Sequence, residues 1–205
     1  LDSVFRQTIQ ELEVIVVDDG STDGALRILG EVRDRRLTVH SKEHEGVSAA
    51  RNAGVSLARA PWAAFLDADD EWLPTFLEAT LRIAERSPGL NAVFSNIHDQ
   101  SLGRAMLDQV DKSGDLVRDY FKTLLENNGV GMSSSSVLVS RSGLSAAGGF
   151  LEGVEHGQDT EAWARLAWSG DIAFCDEVLV VYHSEVPDSA SKDVPRAIRP
   201  YPAFL

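Results

Sequence analysis

Near its beginning the chain carries the run Val14-Ile15-Val16-Val17-Asp18-Asp19-Gly20-Ser21. Its four β-branched apolar residues show no polar alternation, which is typical of a strand buried on both faces of a parallel sheet. The aspartates, glycine and serine that follow favour a turn, so the strand ends there. The run therefore predicts an α/β protein with acidic side chains at the carboxyl end of a buried strand.

Strand and helix signals alternate outward from this run. Further strands are predicted at 37–40, 62–66, 92–95, 137–140 and 178–182. Helices are predicted at 25–32, 47–60, after Pro74, and at 115–126, 142–147 and 159–168. Strand–helix–strand units of this length indicate a mostly parallel central sheet flanked by helices. Because no flexible linker separates the halves, we expect a single domain over residues 1–205.

Composition excludes several functional classes. The chain has 205 residues and a net charge of −13, which disfavours nucleic-acid binding through a broad positive surface. Cys175 is its one cysteine, so there is no internal disulfide and no cysteine-based zinc cluster. The longest apolar run covers only residues 60–66, far short of the ~20 residues that a membrane-spanning helix needs.

A second acidic cluster, Asp67-Ala68-Asp69-Asp70, follows the strand predicted at 62–66. Parallel α/β sheets place ligands at the carboxyl ends of their strands, and adjacent carboxylates repel unless a cation or donors compensate them. Hard oxygen ligands suit Mg²⁺ or Mn²⁺ together with phosphate oxygens. The clusters therefore predict a metal–diphosphate site. The alternative is that Asp18 and Asp69 only cap turns or helices.

Four segments together resemble glycosyltransferase family 2, the inverting enzymes with a GT-A fold. They are VIVVDDGSTD at 14–23, GVSAARNAG at 46–54, FLDADDEWLP at 65–74, and Gly148-Gly149-Phe150 followed by Gln158-Asp159. The resemblance covers roughly residues 1–185 and implies the GT-A (nucleotide-diphospho-sugar transferase) fold.

The resemblance implies roles in donor binding. Asp19 would accept a hydrogen bond from the nucleotide base, in most relatives uracil, with Asp18 supporting it. Arg51 and Asn52 would lie near the ribose and phosphates, although Arg51 could instead form a structural salt bridge.

The second acidic cluster receives its roles from the same resemblance. Asp69 would bind Mg²⁺ or Mn²⁺, which offsets charge on the leaving diphosphate. Asp67 would bind the sugar or ribose, or order its loop.

Asp159 would be the catalytic base in the same resemblance. Inversion by single displacement needs one carboxylate to take the proton of the acceptor hydroxyl, and it needs no enzyme nucleophile. The alternative is that Asp159 caps the helix beginning at Thr160. Both roles can coexist, and the motif favours the base.

Other residues have simpler interpretations. Trp163 lies on the apolar face of a predicted helix, so we expect it in the core rather than in an acceptor pocket. His156 and His183 are expected to be ordinary hydrogen-bonded side chains rather than ligands of a metal or phosphate. The run Ser133–Ser136 is expected to be a loop entering a strand, with no adjacent base to make a nucleophile.

The chain departs from the family in two places. Relatives begin with a strand that packs against the nucleotide base, beside the position of Val14–Val17, and this strand is absent before Leu1. Without this strand, backbone groups of the neighbouring strands would lack partners, which is costly when they are buried. Either residues are missing from the sequence or another chain supplies the strand, and we expect missing residues. Gln158 also stands where relatives commonly have Glu.

The leading hypothesis is transfer of a sugar from a nucleotide-diphosphate donor, a UDP-sugar by resemblance, to a saccharide or other hydroxyl acceptor. Residues 1–100 would bind the donor, 101–185 the acceptor, and 186–205 would form a tail. Relatives commonly build bacterial cell-surface polysaccharides, which implies a cytoplasmic enzyme at the inner face of the membrane. Peripheral membrane association and homo-oligomerisation stay open.

Two other functional classes compete with this hypothesis. One is a non-catalytic nucleotide-sugar-binding module, from a truncated or degenerate relative. The other is a nucleotidyltransferase, which would need a Gly-rich basic phosphate loop near the first strand. The downstream motifs disfavour the nucleotidyltransferase.

Overall fold

The computed structural model describes residues 1–107, 110–127, 132–154 and 156–183, and the predicted tail at 186–205 lies outside them. The helices are α1 (Asp2–Phe5), α2 (Ala25–Glu31), α3 (Val47–Leu57), α4 (Phe76–Arg86), α5 (Tyr120–Glu126), α6 (Arg141–Ala146) and α7 (Gln158–Ser169). The strands are β1 (Val14–Asp19), β2 (Leu37–Lys42), β3 (Trp62–Ala64), β4 (Glu71–Trp72), β5 (Ala92–Asp99), β6 (Arg104–Ala105), β7 (Lys112–Ser113), β8 (Leu116–Val117), β9 (Val137–Ser140) and β10 (Ile172–Tyr182). A 3₁₀ turn, Ser134–Ser136, precedes β9.

Eight strands form one sheet in the order β3-β9-β5-β10-β8-β7, with β4 beside β10 and β6 beside β5. β5 and β10 are parallel, whereas β9 runs antiparallel between β3 and β5. Tight connections join β5 to β6 and β7 to β8, and such hairpins can only pair antiparallel. The α/β class and flanking helices are as predicted, but the sheet is mixed rather than mostly parallel.

β1 and β2 form a separate parallel pair, from Val14 opposite Leu37 to Asp19 opposite Lys42. In the described ranges, β1 has no backbone partner on its other edge, and β3 pairs with β9 alone. The resemblance predicts a further strand beside β1, at this open edge. Val14 is buried but residues 15–17 are partly exposed, so the prediction of a fully buried run is wrong for those three. The open edge of β1 explains the exposure of residues 15–17. None of the residues of α2, the helix between β1 and β2, is buried either.

The core occupies both faces of the eight-stranded sheet, and β5 contributes to both. Val93 lies in the hydrophobic cluster that includes Phe76 of α4, and Phe94 lies in the one that includes Trp163 of α7. This follows from the strand geometry, because successive side chains point to opposite faces. Trp163 is fully buried, so its prediction as a core residue is confirmed.

Two helix boundaries differ from the sequence prediction for local reasons. α5 begins at Tyr120 rather than at 115, because 116–117 form β8 and the Asp119 carboxylate caps the helix by accepting from Lys122 N at 2.9 Å. α3 ends at Leu57 rather than at 60, because its C-cap at residue 58 is extended. The Glu13 carboxylate then accepts the backbone N–H groups of residues 59 and 60.

Candidate functional site

The carboxyl ends of three strands meet at one edge of the sheet. β3, β5 and β10 run in the same direction, because β9 is antiparallel to both β3 and β5, and β10 is parallel to β5. The acidic segment Asp67–Asp70 follows β3, and His183 follows β10. The opposite direction of β9 brings the turn Ser134–Ser136 to this edge as well. Ligands of α/β sheets bind at such an edge.

Ser135 ties the acidic segment to the sheet. Its Oγ donates to Asp70 Oδ2 at 2.5 Å and accepts from Asp67 N at 3.1 Å. Its carbonyl accepts the indole N–H of Trp72 at 2.7 Å. The serine run is thus a loop entering a strand, as expected, but its role in holding the acidic segment is not visible in the sequence. Ser135 lies 65 positions from Asp70 and no local pattern connects them.

Asp70 is buried, and burial raises the pKa of its carboxyl to about 6. The charges of Asp67 and Asp69 raise this pKa further, while the hydrogen bond from Ser135 opposes the shift. The backbone N–H of His183 lies 3.4 Å from Asp70 Oδ1. Asp70 therefore joins the acidic segment to Ser135 and to the end of β10.

His183 is hydrogen-bonded at the same edge. Its Nδ1 lies 2.6 Å from Gln100 Oε1 and its Nε2 lies 3.3 Å from Glu71 Oε1. This matches the expectation of an ordinary hydrogen-bonded histidine. His156 is exposed, just before α7.

Asp67 and Asp69 face different surroundings. Asp67 Oδ1 accepts from Arg51 Nη2 at 2.8 Å, and its side chain is 44% exposed. Across the described ranges, no hydrogen bond or ion pair engages the carboxylate of Asp69. Mg²⁺ or Mn²⁺ that binds phosphates commonly takes one or two carboxylates from the protein. The unpaired carboxylate of Asp69 beside the paired one of Asp67 fits this ligand set. The described residues form no group of three or more His, Cys, Asp or Glu side chains suited to a metal ion.

Arg51 is held at the centre of the site. Its side chain is 11% exposed, with the guanidinium 5.5 Å from the centre of the Phe150 ring. The salt bridge to Asp67 that the sequence offered as an alternative role is present. Arg51 Nη1 is buried and has no hydrogen-bond partner in the described chain.

The carboxylate of Asp19 is fully engaged by protein donors. It accepts from Glu45 N at 3.0 Å, Gly46 N at 2.8 Å and Lys42 Nζ at 3.1 Å, and His44 Nδ1 lies 2.9 Å away. Burial acts to raise the pKa of Asp19, but these hydrogen bonds outweigh it and keep that pKa below its ordinary value. The structure thus ties Asp19, the last residue of β1, to the loop before α3, and its contact with a nucleotide base stays a prediction.

Asp18 is buried at the end of β1. Its oxygens accept from Ser21 N at 3.3 Å and from Ser41 Oγ at 3.0 Å. Hydrogen bonding by Ser21 is the main cause of its lowered pKa. Asp18 therefore joins the turn after β1 to the end of β2, and its role in supporting Asp19 stays a prediction.

Asn52 lies one residue beyond Arg51 on α3, and its carboxamide is engaged by a distant loop. Its Nδ2 donates to Phe150 O at 2.8 Å, and its Oδ1 accepts from Phe150 N at 2.9 Å. Its predicted place near the ribose and phosphates stays a prediction, but in this conformation the amide already has protein partners.

Asp159 is the second residue of α7, and Gly157 is the N-cap. Its Oδ1 accepts from Thr160 N at 2.7 Å, within the first turn. The alternative of Asp159 as the N-cap is therefore wrong, because the helix starts one residue before it. Asp159 as a residue is partly exposed, and its role as the base stays a prediction.

α3 joins the four segments that the sequence singled out. Asp19 holds its first residues through Gly46, Arg51 holds Asp67, and Asn52 holds the backbone of Phe150. Because these three contacts lie within two turns of one helix, α3 connects the four segments to one another.

The α/β sheet with acidic loops at its carboxyl edge has the fold of the GT-A glycosyltransferases. The family model "Glycosyl transferase family 2" matches residues 1–135, and the chain belongs to this family. An uncharacterized glycosyltransferase of Rickettsia felis is 27% identical over 183 residues, 87% of this chain. The chain spans less than a third of the first curated relatives that it matches, 29% and 24% of their lengths.

Solved structures share the fold. S. aureus TarS in complex with UDP-GlcNAc superposes with a TM-score of 0.76 at 18% identity, over 95% of this chain and 56% of TarS. The mannosyltransferase PcManGT from Pyrobaculum calidifontis, in complex with GDP-Man and Mn²⁺, has a TM-score of 0.66 at 23% identity, over 88% of this chain and 51% of PcManGT. None of the helices in the described part of the chain has the length and apolarity needed to cross a membrane.

Proposed function

We propose that this chain is the catalytic domain of an inverting glycosyltransferase, which moves a sugar from a nucleoside-diphosphate donor to an acceptor hydroxyl. The observation that carries the proposal is the connection of Asp19, Arg51–Asp67 and the Phe150 loop through α3. We further propose residues 1–100 as the donor half and 101–185 as the acceptor half.

The donor is proposed to be a UDP-sugar, which binds at the edge defined by Asp19 and Asp67. TarS, with the same fold, is bound to UDP-GlcNAc, which supports this class of donor. Arg51 Nη1, which is buried and has no hydrogen-bond partner among the described residues, would donate to a phosphate oxygen of the donor. The same guanidinium would orient the Asp67 carboxylate.

Asp69 is proposed as the protein ligand of Mg²⁺ or Mn²⁺. When bound, the ion would offset the negative charge of the leaving diphosphate. PcManGT, bound to Mn²⁺ and GDP-Man, supports a divalent ion in this fold.

Asp159 is proposed as the general base. The acceptor oxygen attacks the anomeric carbon and forms the new C–O bond, while the C–O bond to the diphosphate breaks and the diphosphate leaves with the electron pair. The acceptor proton passes to the Asp159 carboxylate. Its partial exposure at the start of α7 leaves room for an acceptor hydroxyl.

The test is donor binding and hydrolysis by the full chain across UDP-, GDP- and dTDP-sugars with Mn²⁺. Asp69→Ala should weaken binding and abolish hydrolysis, whereas Asp159→Asn should spare binding and abolish hydrolysis. Asp171→Asn, an exposed carboxylate just beyond the other end of α7, is the matched control and should change neither. Binding without turnover, unaffected by Asp159→Asn, would favour the non-catalytic module. Absence of binding to every donor would refute the site.

A further inference from the structure

The carboxamide of Asn52 clamps one peptide unit of the chain. Its oxygen accepts from Phe150 N at 2.9 Å and its nitrogen donates to Phe150 O at 2.8 Å. The same nitrogen also donates to Glu152 Oε1 at 3.2 Å. Both ends of the amide are thus used by groups 98 and 100 positions away.

The segment that Asn52 holds, residues 147–150, is here called the GGF loop. It fits closely against Asn52, because a Cβ on Gly149 would lie 2.9 Å from Asn52 Oδ1. Gly149 also has a φ of +70°, a conformation that favours glycine. The loop can therefore approach the carboxamide only with glycine at 149.

α7 holds the GGF loop from the other side. Arg165 Nη2 donates to Gly149 O at 2.7 Å, and Nη1 donates to Ala147 O. Glu161, one turn earlier on α7, accepts from Arg165 Nη2 at 2.7 Å and fixes the guanidinium. The GGF loop therefore lies between Asn52 of α3 and Arg165 of α7.

The ring of Phe150 completes the connection. It packs edge-on against Trp163 at 5.4 Å and against Phe65 at 5.2 Å between ring centres. Trp163 lies four residues after Asp159 on the same helix, and Phe65 lies two residues before Asp67. The buried ring of Phe150 thus contacts both α7, which carries Asp159, and the segment that leads to Asp67.

We propose that Asn52 is a positioning residue rather than a donor ligand: through the GGF loop it sets α7, and with it Asp159, relative to the Arg51–Asp67 pair. This rests on the proposed function, because Asp159 is the base only there. The Asn52 carboxamide contacts Phe150, and Arg165 contacts the same loop, so the effect of Asn52 on the reaction would pass through these two residues.

Kinetics separate positioning from binding. Asn52→Ala should lower kcat for donor hydrolysis about 10- to 100-fold, since a base misplaced by about 1 Å can cost that much. It should leave the Kd for UDP with Mn²⁺ within about 2-fold of the wild-type value. Asn52→Asp keeps the size of the side chain and the oxygen that accepts from Phe150 N, but it replaces the donor to Phe150 O with a carboxylate oxygen. We therefore expect the same lowered kcat and unchanged Kd for UDP. Ser56→Ala, which removes a hydroxyl one turn further along α3, is the control and should change neither quantity.

Hydrogen exchange measured by NMR on the full chain without ligand gives a readout independent of turnover. Asn52→Ala should speed exchange at Phe150 N, which loses its acceptor, and also at Glu161 N, which bonds to Gly157 O at 3.0 Å in the first turn of α7. Ser56→Ala should affect neither amide.

Three results would overturn the inference. In Asn52→Ala, the first is a Kd for UDP raised 10-fold or more with kcat unchanged, and the second is an unchanged kcat. The third is faster hydrogen exchange at Phe150 N with an unchanged exchange rate at Glu161 N. A wild-type chain that binds no nucleoside diphosphate would instead refute the proposed function. The exchange at Glu161 would still decide whether Asn52 restrains α7.

Discussion

Replacing Ser135 with alanine tests how the acidic segment is held. The change removes the hydroxyl that donates to Asp70 Oδ2 at 2.5 Å and accepts from Asp67 N at 3.1 Å. At pH 8, above the pKa of about 6, Asp70 is ionised and would remain buried with one long contact, 3.4 Å, from His183 N. A hydrogen bond to a charged group contributes about 1.5–3 kcal/mol, and the loss at Asp67 N adds about 1 kcal/mol, so Ser135→Ala should cost about 2.5–4 kcal/mol.

Ser134 supplies the matched control within the same 3₁₀ turn. Its hydroxyl is also buried, but it has no hydrogen-bond partner in the described ranges. Ser134→Ala should therefore change stability by less than about 0.5 kcal/mol, or stabilise slightly. The assay is urea unfolding at pH 8, followed by tryptophan fluorescence, with the midpoint and slope fitted for both variants. Equal losses in the two variants, or a Ser135→Ala loss below about 0.5 kcal/mol, would refute the reasoning.

Three further predictions concern stability and ionisation. Trp163→Ala should lower the free energy of unfolding by about 3–5 kcal/mol, because a fully buried indole leaves a cavity; a loss below about 1 kcal/mol in urea unfolding would contradict this. Gly149→Ala should cost more than the roughly 1–2 kcal/mol of positive-φ strain, because its Cβ would lie 2.9 Å from Asn52 Oδ1, and Asn52→Ala in the same chain should recover part of the loss in thermal unfolding. NMR titration should give Asp34 a pKa of about 2, held there mainly by its side-chain hydrogen bond to Arg36. The contribution of Asp34 to the free energy of unfolding is then complete above the ordinary pKa of 3.8 and is lost as the pH falls through about 2. Arg36→Gln should return the titration midpoint of Asp34 towards 3.8.

The strands and helices near the donor side could be predicted because their signals are local. The apolar runs at 14–17, 62–66 and 92–95 each became a strand, and the acidic residues after the first two lie at strand ends. Periodicity and turn composition involve neighbours within a few residues, and so do these elements. The resemblance of four ordered motifs then identified the family and the fold.

The same local logic was wrong where pairing is not local. Residues 15–17 were expected to be buried, but their exposure depends on which strands lie beside β1. The antiparallel insertion of β9 between β3 and β5 likewise depends on the path of the whole chain, so a mostly parallel sheet was predicted for a mixed one.

What the sequence by itself determined is the set of chemical groups: carboxylates after two strands, an Arg-Asn pair on a helix, and Asp159 near the start of another helix. What only the tertiary structure decided is how those groups are used. Ser135 reaches Asp70 across 65 positions, and Asn52 reaches Phe150 across 98. The physical reason is that a hydrogen bond requires atoms within about 3 Å. Which distant donors and acceptors come that close depends on packing of the completed sheet and helices, not on any pattern along the chain.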